Sequence, residues 1–180
     1  MNNYPVIALP EPGEYAEYYH QYISRIPAND LLSYFERQSE SVASVASGLT
    51  EEQLLYRYAP NKWSVKDVLC HIIDSERIFG YRALRIARND KTELPGFEQN
   101  DFVEAAHADR RDINDIISEY SGIRRANIEM FKSLDDEQLM RIGTANNNKM
   151  SVRAIGYLIA GHEQHHLSVI KARYLGTPDR

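Results

Sequence analysis

Four long stretches of this chain repeat their apolar residues every three or four positions, and no stretch alternates convincingly with period two. Residues 30–47 carry Leu31, Phe35, Val42 and Val45, with Leu49 just beyond. Residues 64–89 present Val68, His71, Ile72, Ser75, Ile78, Phe79, Arg82 and Ile86 on one face. Residues 109–133 give Ile113, Ile116, Ile117, Tyr120, Ile123, Met130 and Phe131. Residues 151–175 give Ile155, Ile159, His162, His166 and then Val169 or Ile170. Such stripes are the inward faces of amphipathic helices. The predicted fold class is all-α, built on four helices, with no strand.

Local signals set the ends. Asn29 or Asp30 caps the first helix and Gly48 stops it. Thr50-Glu51-Glu52-Gln53 opens a short connector helix with a capping box. Ser64 caps the second helix with Asp67 at N3, and Trp63 and Val68 form its hydrophobic staple. The fourth helix starts at Ser151 and ends before Gly176, with Pro178 beyond. Residues 90–108 read as a long connection with a turn at Leu94-Pro95-Gly96-Phe97. Pro5, Pro10, Pro12 and Pro27 break the N-terminal part, leaving room for one short helix over 14–25. There Tyr15, Tyr18, Tyr19 and Tyr22 are expected to lie over the end of the main body. The chain therefore divides into a tyrosine-rich strap, 1–27, and a bundle domain, 28–180.

With 180 residues the chain makes one domain. Its single cysteine, Cys70, excludes an intrachain disulfide and fits a reducing, cytoplasmic setting. The first residues lack a basic start followed by an apolar core, so no secretory signal is expected. No apolar run is long enough for a membrane span. A net charge of −5 with acids and bases interleaved argues against nucleic acid as partner.

A faint internal repeat organises the rest. Leu49-Thr50-Glu51-Glu52-Gln53-Leu54 resembles Leu134-Asp135-Asp136-Glu137-Gln138-Leu139, and each leads through a connector to Ser-Val, at Ser64 and Ser151. The chain reads as two antiparallel helix pairs. Residues 90–108 are long enough to traverse a bundle of ~35 Å, so the second and third helices are expected to run parallel. Counted from its serine cap, His71 is about 10 Å along the second helix. The midpoint of His162 and His166 is about 20 Å along the fourth. In antiparallel helices some 30 Å long these levels coincide. Three imidazoles then converge from two helices, which favours one metal site in the bundle core.

Lys62-Trp63-Ser64-Val65-Lys66-Asp67-Val68 leading to His71 and Glu76-Arg77, the 94–97 loop, and His162-Glu163-Gln164-His165-His166 together resemble the DinB-like superfamily. That group of four-helix-bundle proteins includes bacillithiol and mycothiol S-transferases. The resemblance covers residues 30–175. It implies an up-down-down-up bundle, a homodimer, and a divalent ion, zinc or nickel, on His71, His162 and His166.

Other readings use the same residues. His162-Glu163-Gln164-His165-His166 is formally the H-E-x-x-H of zinc peptidases, with Glu163 as general base. Such enzymes take a third ligand downstream, and no histidine or glutamate follows His166. Glu163 reads instead as a solvated residue or as an acceptor for an imidazole N–H. Asp74 and Glu76 either orient a histidine or pair with basic neighbours. His165 points about 100° away from His166 and is not expected as a ligand. His20 and His107 read as surface residues. Cys70 reads as a buried small side chain, with a catalytic thiol as the alternative. Arg82 either recognises an anionic substrate or forms an ion pair near the bundle end. Three histidines leave coordination positions open, the catalytic pattern. The expected function is a metal-dependent enzyme acting on a small molecule, as a transferase joining a low-molecular-weight thiol to an electrophile. The alternatives are metal-assisted hydrolysis and non-catalytic binding of a metal or small ligand. Any pocket should lie over the histidines, with residues 95–102 and an N-terminal tyrosine at its rim.

Overall fold

The computed structural model describes residues 4, 6–27 and 29–176. Pro5 and Pro178, expected as breakers, lie outside the described residues. The elements in order are α1 (His20–Ile23), α2 (Leu31–Gln38), α3 (Ser41–Ala46), α4 (Glu51–Leu55), α5 (Val65–Ala87), α6 (Gln99–Ala106), α7 (Ile113–Lys132), α8 (Asp136–Met140), β1 (Ile142–Ala145), β2 (Asn148–Ser151) and α9 (Val152–Val169). A π-helical turn, Ile170–Tyr174, continues α9. No helix among the described residues is long and apolar enough to cross a membrane.

The four-helix bundle is formed by α2 with α3, α5, α7 and α9. Side-chain pairs along the helices give their directions. Lys66 Nζ donates to the Arg111 carbonyl at 2.8 Å, and further along Arg124 meets Glu76. The starts of α5 and α7 are thus together, and the two run the same way. Tyr174 donates to the Trp63 carbonyl, while Arg141, whose carbonyl accepts from the Val152 N–H at the start of α9, reaches the Ala87 carbonyl at the far end of α5. So α9 opposes α5. Phe35 packs on Phe131 and Ser41 meets Tyr120, so the first bundle helix opposes α7.

The predicted caps form. Ser64 and Asp67 make a reciprocal capping box at α5, as do Thr50 with Gln53 at α4 and Asp135 with Gln138 at α8. Ser151 caps α9 by accepting from the Ala154 N–H. The first helix differs from expectation by breaking into two between Gln38 and Ser41. Ser39 and Ser41 donate to the carbonyls of Glu36 and Gln38, and Tyr120 also donates to Gln38 O. Those side chains take acceptors that a continuous helix would use.

Two expectations are corrected. The chain does contain strands, in one antiparallel hairpin that pairs Ile142 with Ser151 and Ala145 with Asn148. Its turn residues, Asn146 and Asn147, have φ of 49° and 60°. That is the conformation a two-residue hairpin requires, and asparagine adopts it at low cost. Residues 90–108 are not a bare connection. Leu94 exchanges backbone bonds with Thr144 and Asn146 at the hairpin, and Glu98 then caps α6. The turn expected at 94–97 is not formed: Leu94 is held in a bridge to Ala145, and the segment runs on without a turn beside α5.

The N-terminal segment is less regular than one helix over 14–25: a 3₁₀ turn, Glu17–Tyr19, runs into α1. Ile7, Tyr19, Ile23 and Ile26 enter the same hydrophobic cluster as Phe35, Phe131 and Ile155. With α1 on one side and α2 and α5 on others, α9 is buried from Ala154 to Glu163 without a break. A helix apolar all round requires such a surround. Gly161 permits the closest approach, because a Cβ there would lie 2.1 Å from the Tyr22 carbonyl oxygen.

Candidate metal centre

α5 and α9 bring three histidines to one point, and α1 covers it. His71 Nε2 is 3.2 Å from His162 Nε2, which is 3.1 Å from His166 Nε2. One nitrogen from each ring falls within a group spanning no more than 4.8 Å. Two nitrogens each about 2.0–2.1 Å from a tetrahedral ion are separated by about 3.3 Å. The donor set therefore fits one divalent cation. His71 and His162 are buried and His166 partly so. The rings are boxed in by other aromatic groups: Trp63 against His71, Phe79 and Tyr22 against His162.

Burial keeps these imidazoles neutral, the state a metal requires. It pushes His71 down to about 4. His166 is pushed down to about 2 by burial, with smaller contributions from His71 and His165. Burial, then the neighbouring rings, holds His162 well below the ordinary range. This predicts an acid-sensitive metal-free fold. Unfolded, His71 titrates at its ordinary value of about 6.5. Folded, it accepts a proton only near 4. Between those values the unfolded chain binds more protons, so stability is full above pH 6.5 and is lost as pH falls toward 4. His71 alone is expected to lower it by about 2 kcal/mol between pH 7 and 5. Urea unfolding of chelator-treated protein at the two pH values measures this, and equal stability would mean that the ring charges freely inside the fold.

The other candidates lie elsewhere. Glu163 is not solvated: it is 1% exposed, and its carboxylate accepts from Arg124 and Tyr120 of α7 and Ser41 of α3. Glu76 likewise receives a bidentate pair from Arg124 at 2.8 Å and a bond from Asn127. Asp74 faces Arg77 at 3.7 Å. His165 packs edge-on against Tyr22 and lies outside the triad. His20 and His107 are exposed. Cys70 is buried beside Arg111, and burial pushes its thiol up to about 11. Sequence reasoning passed over Arg124, which is wholly buried. The available signal was its place four residues after Tyr120, on the apolar stripe of α7.

Two cavities reach the triad. One, of about 230 Å³, touches His71 and His162 and is walled by Tyr18, Tyr19 and Tyr22 on one side and Phe97 on the other. The second, of about 340 Å³, touches His166 and is walled by Trp63, Tyr58, Lys62 and Tyr174. The rim thus includes both the 95–102 segment and the N-terminal tyrosines.

Comparison with known proteins agrees with this architecture. The family model of the DinB superfamily matches residues 34–170. A proposed metal-dependent hydrolase of Oceanobacillus iheyensis is 27% identical over 146 residues, covering 79% of this chain and 83% of its own length. YfiT from Bacillus subtilis is described as a probable metal-dependent hydrolase with an unusual four-helix bundle topology. It aligns with a TM-score of 0.73 over 97% of both chains at 16% identity, a likeness of fold.

Proposed function

The chain belongs to the DinB superfamily, and we propose that it is an enzyme using a divalent ion, zinc or nickel, on His71, His162 and His166 to act on small molecules. The observation that carries this reading is the meeting of three neutral imidazole nitrogens, within 4.8 Å of one another, under two cavities. When bound, such an ion lowers the pKa of a thiol or water brought to it and so makes a nucleophile available near neutral pH.

Among the described residues, neither Cys70 nor Glu163, the two candidates read from the sequence, is placed to serve as nucleophile or general base at this point. Cys70 is buried with its thiol protonated, and Glu163 is turned into the Arg124 network. This disfavours the zinc-peptidase reading of His162-Glu163-Gln164-His165-His166. Two separate cavities at one centre suit two small substrates, and so favour transfer of a low-molecular-weight thiol to an electrophile. The sulfur–carbon bond forms, the leaving group departs with its electron pair, and the thiol proton goes to solvent. The triad positions the sulfur. The aromatic walls hold the electrophile and exclude water. In this reading residues 1–27 are a strap closing one cavity over the 28–180 bundle. The name of the Oceanobacillus iheyensis relative favours a second reading, metal-assisted hydrolysis.

Elemental analysis of purified protein tests the ion, and conjugation of a bromobimane to bacillithiol or another cellular thiol tests the reaction. Zinc or nickel is expected to raise conjugation, and His166→Ala is expected to abolish that gain while leaving helical content intact. Equal rates with and without metal would remove the transferase reading. Metal-stimulated ester or amide cleavage in its place would establish hydrolysis.

A further inference from the structure

The cavity over His71 and His162 contains two polar side chains that the fold leaves short of partners. Ser75 is wholly buried, and among the described residues its Oγ is the buried side-chain atom with no hydrogen-bond partner. A serine inside a helix ordinarily bonds back to the carbonyl one turn earlier. Ser75 does not. Arg82 is 4% exposed, yet no carboxylate pairs with it among the described residues, although an ion pair was one expectation. Its Nη2 donates to the Pro95 carbonyl at 2.7 Å, and its guanidinium lies over the Phe79 ring. Burial lowers its pKa, so its charge stands without full compensation. A buried cation without a counter-ion is costly unless something supplies the charge.

His71, Ser75 and Arg82 lie on one face of α5, at steps of four and seven residues. On an ideal helix the Cα atoms of His71 and Arg82 are about 16 Å apart, and side chains lean toward the helix N-terminus, so Arg82 reaches back toward Ser75. Arg82 therefore lies toward the end of the cavity away from the triad, with Ser75, one turn from His71, between them. Phe79, Leu158, Phe97 and the tyrosines line the cavity together with the polar side chains of Gln99 and Asn146. Glu98 also lines the cavity, so a dianion would face one positive and one negative group. A planar monoanion matches the guanidinium fork better.

We propose that this cavity binds an organic carboxylate with an apolar body, its carboxylate held by Arg82 and Ser75 and its other end directed at the histidines. The inference builds on the functional reading above for which end reacts, but recognition of the carboxylate does not depend on the metal. The Pro95 carbonyl fixes one arm of Arg82, which leaves its other N–H groups free to donate to the ligand. Ser75 Oγ–H supplies a second donor.

The test compares 3-phenylpropionate with 3-phenylpropanamide, which differ only in charge at the head group. Each is titrated calorimetrically into chelator-treated full-length protein at pH 7. The wild type is expected to prefer the carboxylate at least tenfold. Arg82→Gln should erase the preference, Arg82→Lys should restore part of it, and Ser75→Ala should reduce it about threefold. Zinc affinity, measured separately, should be the same in Arg82→Gln as in the wild type. Circular dichroism confirms that each variant is folded. Equal affinity of the wild type for both probes, or a preference that survives Arg82→Gln, overturns the proposal. A carboxylate preference in a protein that takes up no zinc would uphold this subsite and overturn the metal reading instead.

Discussion

Zinc is expected to raise the melting temperature of the wild-type protein by about 8–16 °C and to leave His162→Ala unmoved. The argument starts from linkage. A ligand that binds only the folded state, present at about a thousand times its dissociation constant, adds about 4 kcal/mol of stability. In a chain of this length each kcal/mol moves the midpoint by about 2–4 °C. His162 is the central donor, with its Nε2 within 3.2 Å of both other rings. Losing it leaves His71 and His166 alone, and two donors do not close a site. Even loss of a group that merely orients a ligand costs about 10–100-fold in metal affinity, so loss of the middle ligand should exceed that. Scanning calorimetry with and without zinc reads the result. A zinc-induced shift that persists in His162→Ala would place the ion elsewhere. In the metal-free state the substitution is expected to be mild, because it removes a buried polar ring that lacks its cation.

What the sequence made legible was whatever depends on short-range spacing. Helix periodicity and caps are local, so α5 and α9 begin where Ser64 and Ser151 put them, and α7 begins four residues after the expected Asp109. The histidine triad was legible for the same reason, since four-residue steps and an antiparallel pair suffice to bring the rings to one level. The hairpin was missed because four-residue strands are too short to show alternation. Its one signal was Asn146-Asn147 in a turn. The break at Ser39-Glu40 was missed because it follows from bonds to Tyr120, which lies about eighty residues away.

The charge chemistry was less legible, because it depends on partners distant in sequence. Glu163 read as a solvated residue or as an acceptor for an imidazole N–H, and only the packing of α7 reveals Arg124 beside it. Arg82 looked ready for an ion pair, and only the fold shows that among the described residues it meets the Pro95 carbonyl and no paired carboxylate. In both cases side-chain identity was plain and the counter-charge was not. Residues on a helix stripe announce their burial, but not which charge waits across the interface.

Arg124→Met is expected to destabilise the protein by about 3–5 kcal/mol, lowering the midpoint by about 6–20 °C. Arg124 is wholly buried between two buried carboxylates, donating at 2.8 Å to each oxygen of Glu76 and also to Glu163. Removing it leaves two acids in the core with no cation between them, and that orphaned charge outweighs the lost packing. Arg124 itself resists deprotonation: burial opposes its charge, but Glu163 and Glu76 overcome that and raise its pKa. The pH dependence follows with a definite sign. Burial already raises the Glu163 pKa even with Arg124 present to lower it. Without the guanidinium it rises further, so the folded variant holds protons that the unfolded chain gives up above its ordinary carboxylate range. The deficit should therefore be smallest near pH 5 and grow toward pH 8. Adding Glu76→Gln and Glu163→Gln to Arg124→Met should recover part of the loss, since neutral amides are cheaper to bury than unpaired carboxylates. Urea unfolding of the single and triple variants across this range measures both effects. A single variant as stable as the wild type at pH 8 would mean that water reaches these carboxylates and that the network is not a closed part of the core.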